Sequence, residues 1–259
     1  MFYQDKAVLV TGGTKGVGRC IAENYAQQGA AVIVADIDKA PSLKLVALLQ
    51  QKNPRSSFYQ VDLTVASQVE RMMAVLLEQY GDIDIIINNA GLSRFNPLTQ
   101  LDNQRLEYIM GINLRCQMAV AKALLRHRQK NGAKEKYGRI VGIASTRHQN
   151  AQGQVPSPAQ TALLLMTESL AASFSGYNVT VNCITPGWLC TEGYDSYGEL
   201  DLSDDAVGRA QDIASACLYL TDEANNFING RNIVVDSTVK RRRNLAMAEY
   251  IRQLLEDEN

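Results

Sequence analysis

The tightest constraint on this chain is the stretch VLVTGGTKGVGR near its start. A short β-branched run ends at Val10, and Thr11, Gly12, Gly16 and Gly18 carry the backbone through a turn into a segment of helical period. Glycine permits a tight turn there and lets backbone N–H groups and the N-terminus of the next helix approach a pyrophosphate with no Cβ in the way. A second run, VIVADID, carries Asp36 at the strand end, where its carboxylate is placed to accept hydrogen bonds from ribose hydroxyls and to repel a 2′-phosphate. Strand, glycine turn, helix and acidic strand end together predict a dinucleotide-binding βαβ unit.

The same alternation continues along the chain. β-rich apolar runs at 7–10, 31–35, 57–61, 83–88, 138–143, 179–183 and 232–235 alternate with helical segments at about 17–28, 41–52, 66–80, 102–129, 157–174 and 210–221. Near-continuous apolar strands separated by helices are the pattern of a parallel sheet buried on both faces. The predicted fold is therefore α/β: a Rossmann-type, doubly wound, seven-stranded parallel sheet with helices on both faces, in a single domain over 1–239. A basic stretch and tail helix come after it at 240–259, where Leu245, Ala248, Ile251 and Leu255 form one apolar stripe. The KRRR start and the Glu256–Glu258 end of that helix oppose its dipole, so it is predicted to dock on the domain or a neighbouring subunit, or to fray.

Composition removes several function classes. With 259 residues, 46% hydrophobic, 20% charged and a net charge of −1, the chain has the makeup of a soluble globular protein and no global charge to recruit nucleic acid or an acidic membrane. Cys20, Cys116, Cys183, Cys190 and Cys217 show neither a CxxC nor a ligand spacing, which predicts buried free thiols and no metal. The sequence opens on a strand with no basic-then-apolar leader, and it holds no run of 18 apolar residues, so a cytoplasmic protein is expected.

Further motifs, in order, resemble the short-chain dehydrogenase/reductase family over about residues 5–238. TGGTKGVG is similar to the family's TGxxxGxG turn, VDLT to its adenine-binding pair (Asp62, Leu63), and NNAG at 88–91 to its signature after strand four. GINL supplies the family asparagine at Asn113, GRIVGIAS ends at the family serine Ser145, and VNCITPGWLCTE carries Pro186, Gly187 and Thr191, which face the nicotinamide carboxamide in the family. The resemblance implies cofactor contacts at Gly12, Thr14, Lys15, Gly16, Val17, Gly18, Asp36, Asp62, Leu63, Asn89, Ala90, Gly91, Gln160, Pro186, Gly187 and Thr191, with Asn113 and Ser145 as catalytic remnants. Asp36 favours NAD. Lys15 stands where family members often contact a 2′-phosphate, which keeps NADP open. The family packs its helices here at 102–129 and 157–174 against their equivalents, implying a homodimer or homotetramer, or a heteromer with an intact relative. No motif names the small-molecule ligand.

One departure outweighs the rest. PSPAQTALLLMTESLA aligns without a gap to the family's YxxxKxxLxxLTxSLA, which puts Pro156 at the tyrosine and Gln160 at the lysine. Counting from Ser145 moves the register to Ser157 and Thr161, yet no tyrosine occurs between Tyr137 and Tyr177 and no lysine between Lys136 and Lys240. In the family that lysine acidifies the tyrosine, which exchanges the proton during hydride transfer. A free phenol titrates near 10 and needs such help to act at neutral pH. Proton transfer of this kind contributes a factor of roughly 10² to 10⁴, so its loss predicts a catalytically impaired protein: a pseudoenzyme, a noncatalytic subunit or an NAD(H)-responsive binder. The alternative is an active NAD(P)-dependent alcohol or carbonyl oxidoreductase with another acid/base, for which His148 beside Arg147, or Tyr194 and Tyr197, are candidates. Two further departures alter the rim: an acidic substrate-covering segment after Thr191, and Ser237–Thr238 in place of a glycine pair.

Overall fold

The computed structural model describes residues 2–91, 102–144, 158–187, 189–190 and 208–236. Its core is a seven-stranded sheet built from β1 (Ala7–Thr11), β2 (Ala31–Asp36), β3 (Ser57–Gln60), β4 (Ile85–Asn88), β5 (Gly138–Ile143), β6 (Val179–Pro186) and β9 (Asn232–Val235). The strand order is β3-β2-β1-β4-β5-β6-β9, and every pairing is parallel. The chain winds outward in both directions from the β1–β4 junction, so the connections leaving those two strands diverge and open a crevice at their carboxyl ends. Two short strands, β7 (Leu189–Cys190) and β8 (Gly208–Arg209), pair separately in parallel and were not expected.

Strand side chains alternate faces, and both faces are apolar. Val8 and Val10 of β1 with Ile85 and Ile87 of β4 meet α1 (Gly16–Gln27), α2 (Lys39–Gln50) and α7 (Ala210–Thr221) in one buried cluster. Leu9, Ile86, Ile140 and Val181 meet α3 (Ala66–Tyr80), α5 (Cys116–Lys130) and the end of α6 (Pro158–Ser173) in the other. In α3 the buried residues Val69, Met72, Met73, Leu76 and Leu77 keep the three–four spacing of one helix face, and Gly81 ends the helix in the left-handed conformation at φ 75°. Cys116, Cys183 and Cys217 are buried free thiols, and burial pushes Cys116 and Cys183 up to about 12. Cys20 is half-buried. Among the described residues no helix is long and apolar enough to cross a membrane.

The segment expected as one helix over 102–129 is three pieces: α4 (Asn103–Met110), a π segment (Gly111–Arg115) and α5. Asp102 caps α4 by accepting from the Arg105 amide at 2.7 Å. A π turn admits one extra residue and re-aims the helix beyond it: α4 has no buried residue, whereas Gly111 and Asn113 of the next turn are buried. β6 runs three residues past its expected end, because Thr185 and Pro186 still pair with Val234 and Val235. α6 is described from Pro158, a proline in its first turn, while Pro156 lies outside the described residues.

The amino edge of the sheet is sealed by polar staples. Arg128 of α5, fully buried, donates to the carbonyls of Lys136 (2.7 Å), Tyr137 (2.8 Å) and Ile83 (3.3 Å). Its Nε lies 3.3 Å from Asp82 Oδ2 as an ion pair rather than an aligned hydrogen bond, and the half-exposed Lys136 reaches the same oxygen at 3.4 Å. Burial pulls the Arg128 guanidinium pKa down, and Asp82 pushes it back up. Asp82 is 2% exposed, so removing the guanidinium leaves a buried carboxylate with the half-exposed Lys136 as its remaining ion-pair partner among the described residues, and three carbonyls without their donor. Replacing Arg128→Met is therefore expected to cost about 3–5 kcal/mol of unfolding free energy, read as a lower urea midpoint at unchanged slope.

Candidate functional site

The crevice at the carboxyl ends of β1 and β4 is lined by the glycine turn and the residues that brace it. Gly12 has φ 62°, a left-handed conformation in which a side chain is strained, and a Cβ there would lie 2.9 Å from Ala90 Cα. At Gly18 a Cβ would collide with the Gly12 carbonyl oxygen and stand 2.5 Å from Asn89 Nδ2. Asn89 is the brace: its amide donates to the carbonyls of Thr11 (3.1 Å) and Gly12 (2.9 Å). Thr11 adds a second tie, accepting from the Ala90 N–H at 3.1 Å. NNAG thus holds the shape of the turn across the strand junction.

With those carbonyls engaged, the first turn of α1 faces outward. Lys15 is its N-cap in an extended conformation with no capping hydrogen bond from its side chain, and the first turn holds no acidic residue. The leading amides of Gly16, Val17 and Gly18, with the positive end of the helix dipole, form an anion-binding end. Lys15 is exposed at the same place.

Asp36 ends β2 beside this turn, 8% exposed. Its Oδ2 accepts from Thr14 Oγ1 (2.6 Å) and the Thr14 amide (3.3 Å), and its Oδ1 accepts from the Asp38 amide (3.2 Å). An ionised carboxylate has about four acceptor positions, so three are taken internally and one is left for a hydroxyl. Thr14, expected as a cofactor contact, is therefore also the anchor of Asp36. Asp62 Oδ1 is likewise used locally, accepting from the amide (2.9 Å) and hydroxyl (2.7 Å) of Thr64. The Leu63 side chain is 8% exposed and packs in the core. Sequence reading missed Ile37, 56% exposed directly after Asp36. An apolar residue left in solvent beside a polar groove is its only signal.

On the far side of the junction Asn113 sits in the π segment, 7% exposed, with Nδ2 donating to the Ile109 carbonyl at 3.0 Å. Its Oδ1 abuts Gly91, where a Cβ would lie 2.7 Å from it. Pro186 and Gly187 are buried at the end of β6, and the Gly187 amide donates to the Val235 carbonyl at 2.7 Å. Gln160 falls in the first turn of α6, its side chain outside the described residues. Ser145, Arg147, His148, Pro156, Ser157, Thr191, Tyr194 and Tyr197 also lie outside them, as do Ser237, Thr238 and the tail. The structure thus brings Gly12, Thr14, Lys15, Gly16, Val17, Gly18, Asp36, Asn89 and Ala90 together around one turn, with Gly91 and Asn113 in contact beyond it.

Among the described residues, lysine meets tyrosine at the opposite, amino edge of the sheet. Lys6 lies 4.1 Å above the Tyr137 ring and Arg139 4.3 Å from it. Burial pushes the Tyr137 phenol well up despite the Arg139 charge, and its hydroxyl donates to the Thr221 carbonyl. That constellation holds a neutral phenol in place at the sheet edge opposite the crevice.

The chain is similar to known proteins along most of its length. A family model described as enoyl-(acyl carrier protein) reductase matches residues 12–239. The (2S)-[(R)-hydroxy(phenyl)methyl]succinyl-CoA dehydrogenase subunit BbsD of Thauera aromatica is 32% identical over 91% of this chain and 96% of its own. The 3-oxoacyl-[acyl-carrier-protein] reductase FabG of Haemophilus influenzae is 30% identical over 90% and 97%. A short-chain dehydrogenase from Burkholderia cenocepacia, solved in complex with NADP, superposes with a TM-score of 0.80 at 26% identity, covering 92% of this chain and 98% of that one. Both the relatives and the neighbour are covered almost end to end, so the likeness extends well past the glycine turn, and this chain belongs to the short-chain dehydrogenase/reductase family.

Proposed function

We propose that this chain binds a nicotinamide dinucleotide, NAD(H) in preference to NADP(H), and that its dehydrogenase turnover is impaired. The observation that carries the binding half is the cradle of α1: a turn in which a Cβ at Gly18 has no room, ahead of an uncapped helix N-terminus with no acidic residue in its first turn. Gly12 through Gly18 would hold the pyrophosphate, the remaining acceptor position of Asp36 a ribose hydroxyl, and the Ile37 side chain an apolar flank of the adenine. A 2′-phosphate would meet the Asp36 carboxylate, and repulsion at close range in a partly buried site is costly. The neighbour bound to NADP and the exposed Lys15 pull toward the phosphate. Lys15 gains less, because a mobile lysine is screened by solvent and loses rotamer freedom on pairing.

When bound, the nicotinamide supplies or accepts a hydride, and the chain must then move one proton. Pro156 has no ionisable group, and Gln160 has no charge with which to acidify a neighbouring phenol. Asn113 and Ser145 remain as orienting groups. This supports a noncatalytic subunit or an NAD(H)-responsive binder working in the reducing cytoplasm. The exposed Leu106, Tyr108 and Met118 on α4 and α5 and Leu165 on α6 support association through those helices, with a second copy or with an intact relative. The reading of an active enzyme with another acid/base draws support from the relatives, whose names are those of dehydrogenases and reductases.

Titration of the protein with NADH and NADPH, followed by fluorescence, tests binding. NADH is expected to bind the tighter, Asp36→Ala to narrow or reverse the ratio, and Gly18→Ala to weaken both at least tenfold. A wild-type protein that binds neither overturns the binding proposal. In a screen of hydroxy and keto substrates the unmodified chain is expected to fall far below the usual 1–10³ s⁻¹. The Pro156→Tyr/Gln160→Lys variant is expected to gain roughly 10² or more. Ordinary rates without those substitutions would overturn the impairment.

A further inference from the structure

The π segment has a support that neither the glycine turn nor the missing catalytic pair involves. Gln117, in the first turn of α5, is 3% exposed, and its Nε2 donates to the Asn113 carbonyl at 3.1 Å. Burying so long a polar side chain is unfavourable unless its amide is needed where it ends up. A π turn shifts the ladder of backbone hydrogen bonds by one residue, as where the Cys116 amide donates to the Gly111 carbonyl, and Gln117 adds a side-chain donor at the Asn113 carbonyl.

The room for it comes from another element. Gly142 of β5 stands in register with Asn88 of β4 and Cys183 of β6, so all three point to the α5 and α6 side of the sheet. A Cβ on Gly142 would lie 2.9 Å from Gln117 Oε1 and 3.6 Å from Leu163 Cδ1. The glutamine carboxamide therefore fills the space a side chain at 142 would take. From there contacts run toward the crevice: Gln117 holds the Asn113 carbonyl, and Asn113 Oδ1 rests against Gly91 at the end of β4.

We propose that Gln117, seated in the gap left by Gly142, is a positioning residue that fixes the Asn113 turn against Gly91 and so shapes the nicotinamide half of the cleft. The proposal rests on the dinucleotide-binding reading and assigns this chain a device of its own, in which a strand glycine and a buried helix amide work as a pair. The adenine half, built on Asp36 and the α1 turn, is braced by the Asn89 hydrogen bonds to Thr11 and Gly12, which involve neither Gln117 nor Gly142.

The test uses Gln117→Met, which keeps volume and loses the donor, and Gly142→Ala, which keeps the glutamine and displaces its amide. Titrations with NADH and with ADP-ribose, which lacks the nicotinamide, are set beside thermal unfolding and amide hydrogen exchange. Each variant is expected to weaken NADH about fivefold to tenfold while ADP-ribose stays within about twofold of wild type. Exchange should quicken at 109–117 and at Gly91, and Gly142→Ala should be better tolerated when Gln117→Ala accompanies it. Equal losses for the two ligands, or lowered stability with both affinities intact, would reduce Gln117 to core filling and overturn the proposal. Should wild type bind neither ligand, the dinucleotide reading fails, and unchanged exchange at Gly91 in Gln117→Met would overturn the positioning role separately.

Discussion

The site depends on one side chain that ties two strands together at the point where the sheet changes direction. Asn89 donates to both Thr11 and Gly12 carbonyls, which turns those oxygens toward β4 and leaves the next amides of the turn facing out of the sheet. Two neutral hydrogen bonds are worth only about 1 kcal/mol each in net stability. Their larger effect is geometric, because the glycines they restrain are the residues with most conformational freedom to lose. Without the brace, a turn with glycines at 12, 13, 16 and 18 would sample many shapes, and few of them would present the α1 amides together.

The two edges of the sheet are specialised in opposite ways by the same parallel topology. All strands leave at the carboxyl edge, where α1 starts and where Asp36, Asn88 and Asn113 keep polar atoms near the crevice. At the amino edge many of the polar groups are engaged with one another. Arg128 ties three carbonyls and Asp82, while Tyr3 and Tyr25 share the Thr221 hydroxyl at 2.9 and 2.7 Å. Neither edge is fully matched: Asn88 Oδ1 at the carboxyl edge, and Asp82 Oδ2 with the Nε atoms of Arg128 and Arg139 at the amino edge, are buried without a hydrogen-bond partner among the described residues.

Most of the frame was legible in the sequence because it is written in composition and period. Strands buried on both faces must be apolar throughout, so VLV, VIVA and III announce themselves, and the glycine turn with Asp36 fixes where the crevice opens. What was missed is what period cannot encode. A π turn inserts a single residue, and the stripes on either side still read as one helix. Gln117 and Gly142 are each ordinary alone, since a glutamine on a helix suggests solvent and a glycine on a strand suggests a weak point. Their meaning appears only when 2.9 Å separates one from the Cβ the other lacks. The continuation of β6 through Pro186 was hidden likewise, because proline suggests a strand end while its missing N–H matters only where a ladder bond is required.

Tyr137 shows why a phenol near a cation is not enough for acid/base work. Lys6 and Arg139 both stack on its ring, yet the phenol is held above its ordinary range. Burial disfavours the phenolate, the hydroxyl donates to the Thr221 carbonyl and so stabilises the protonated form, and cations over a ring face do little for charge that would develop on the oxygen. An acidified phenol needs its cation near the oxygen and enough polar surroundings to offset desolvation. In the family that combination comes from a tyrosine and a lysine one helical turn apart at the start of α6, where one backbone fixes both. A substitute drawn from separate loops would have to bring the phenol, the charge and the access together without such a frame, which is the physical ground for proposing that binding has outlasted turnover here.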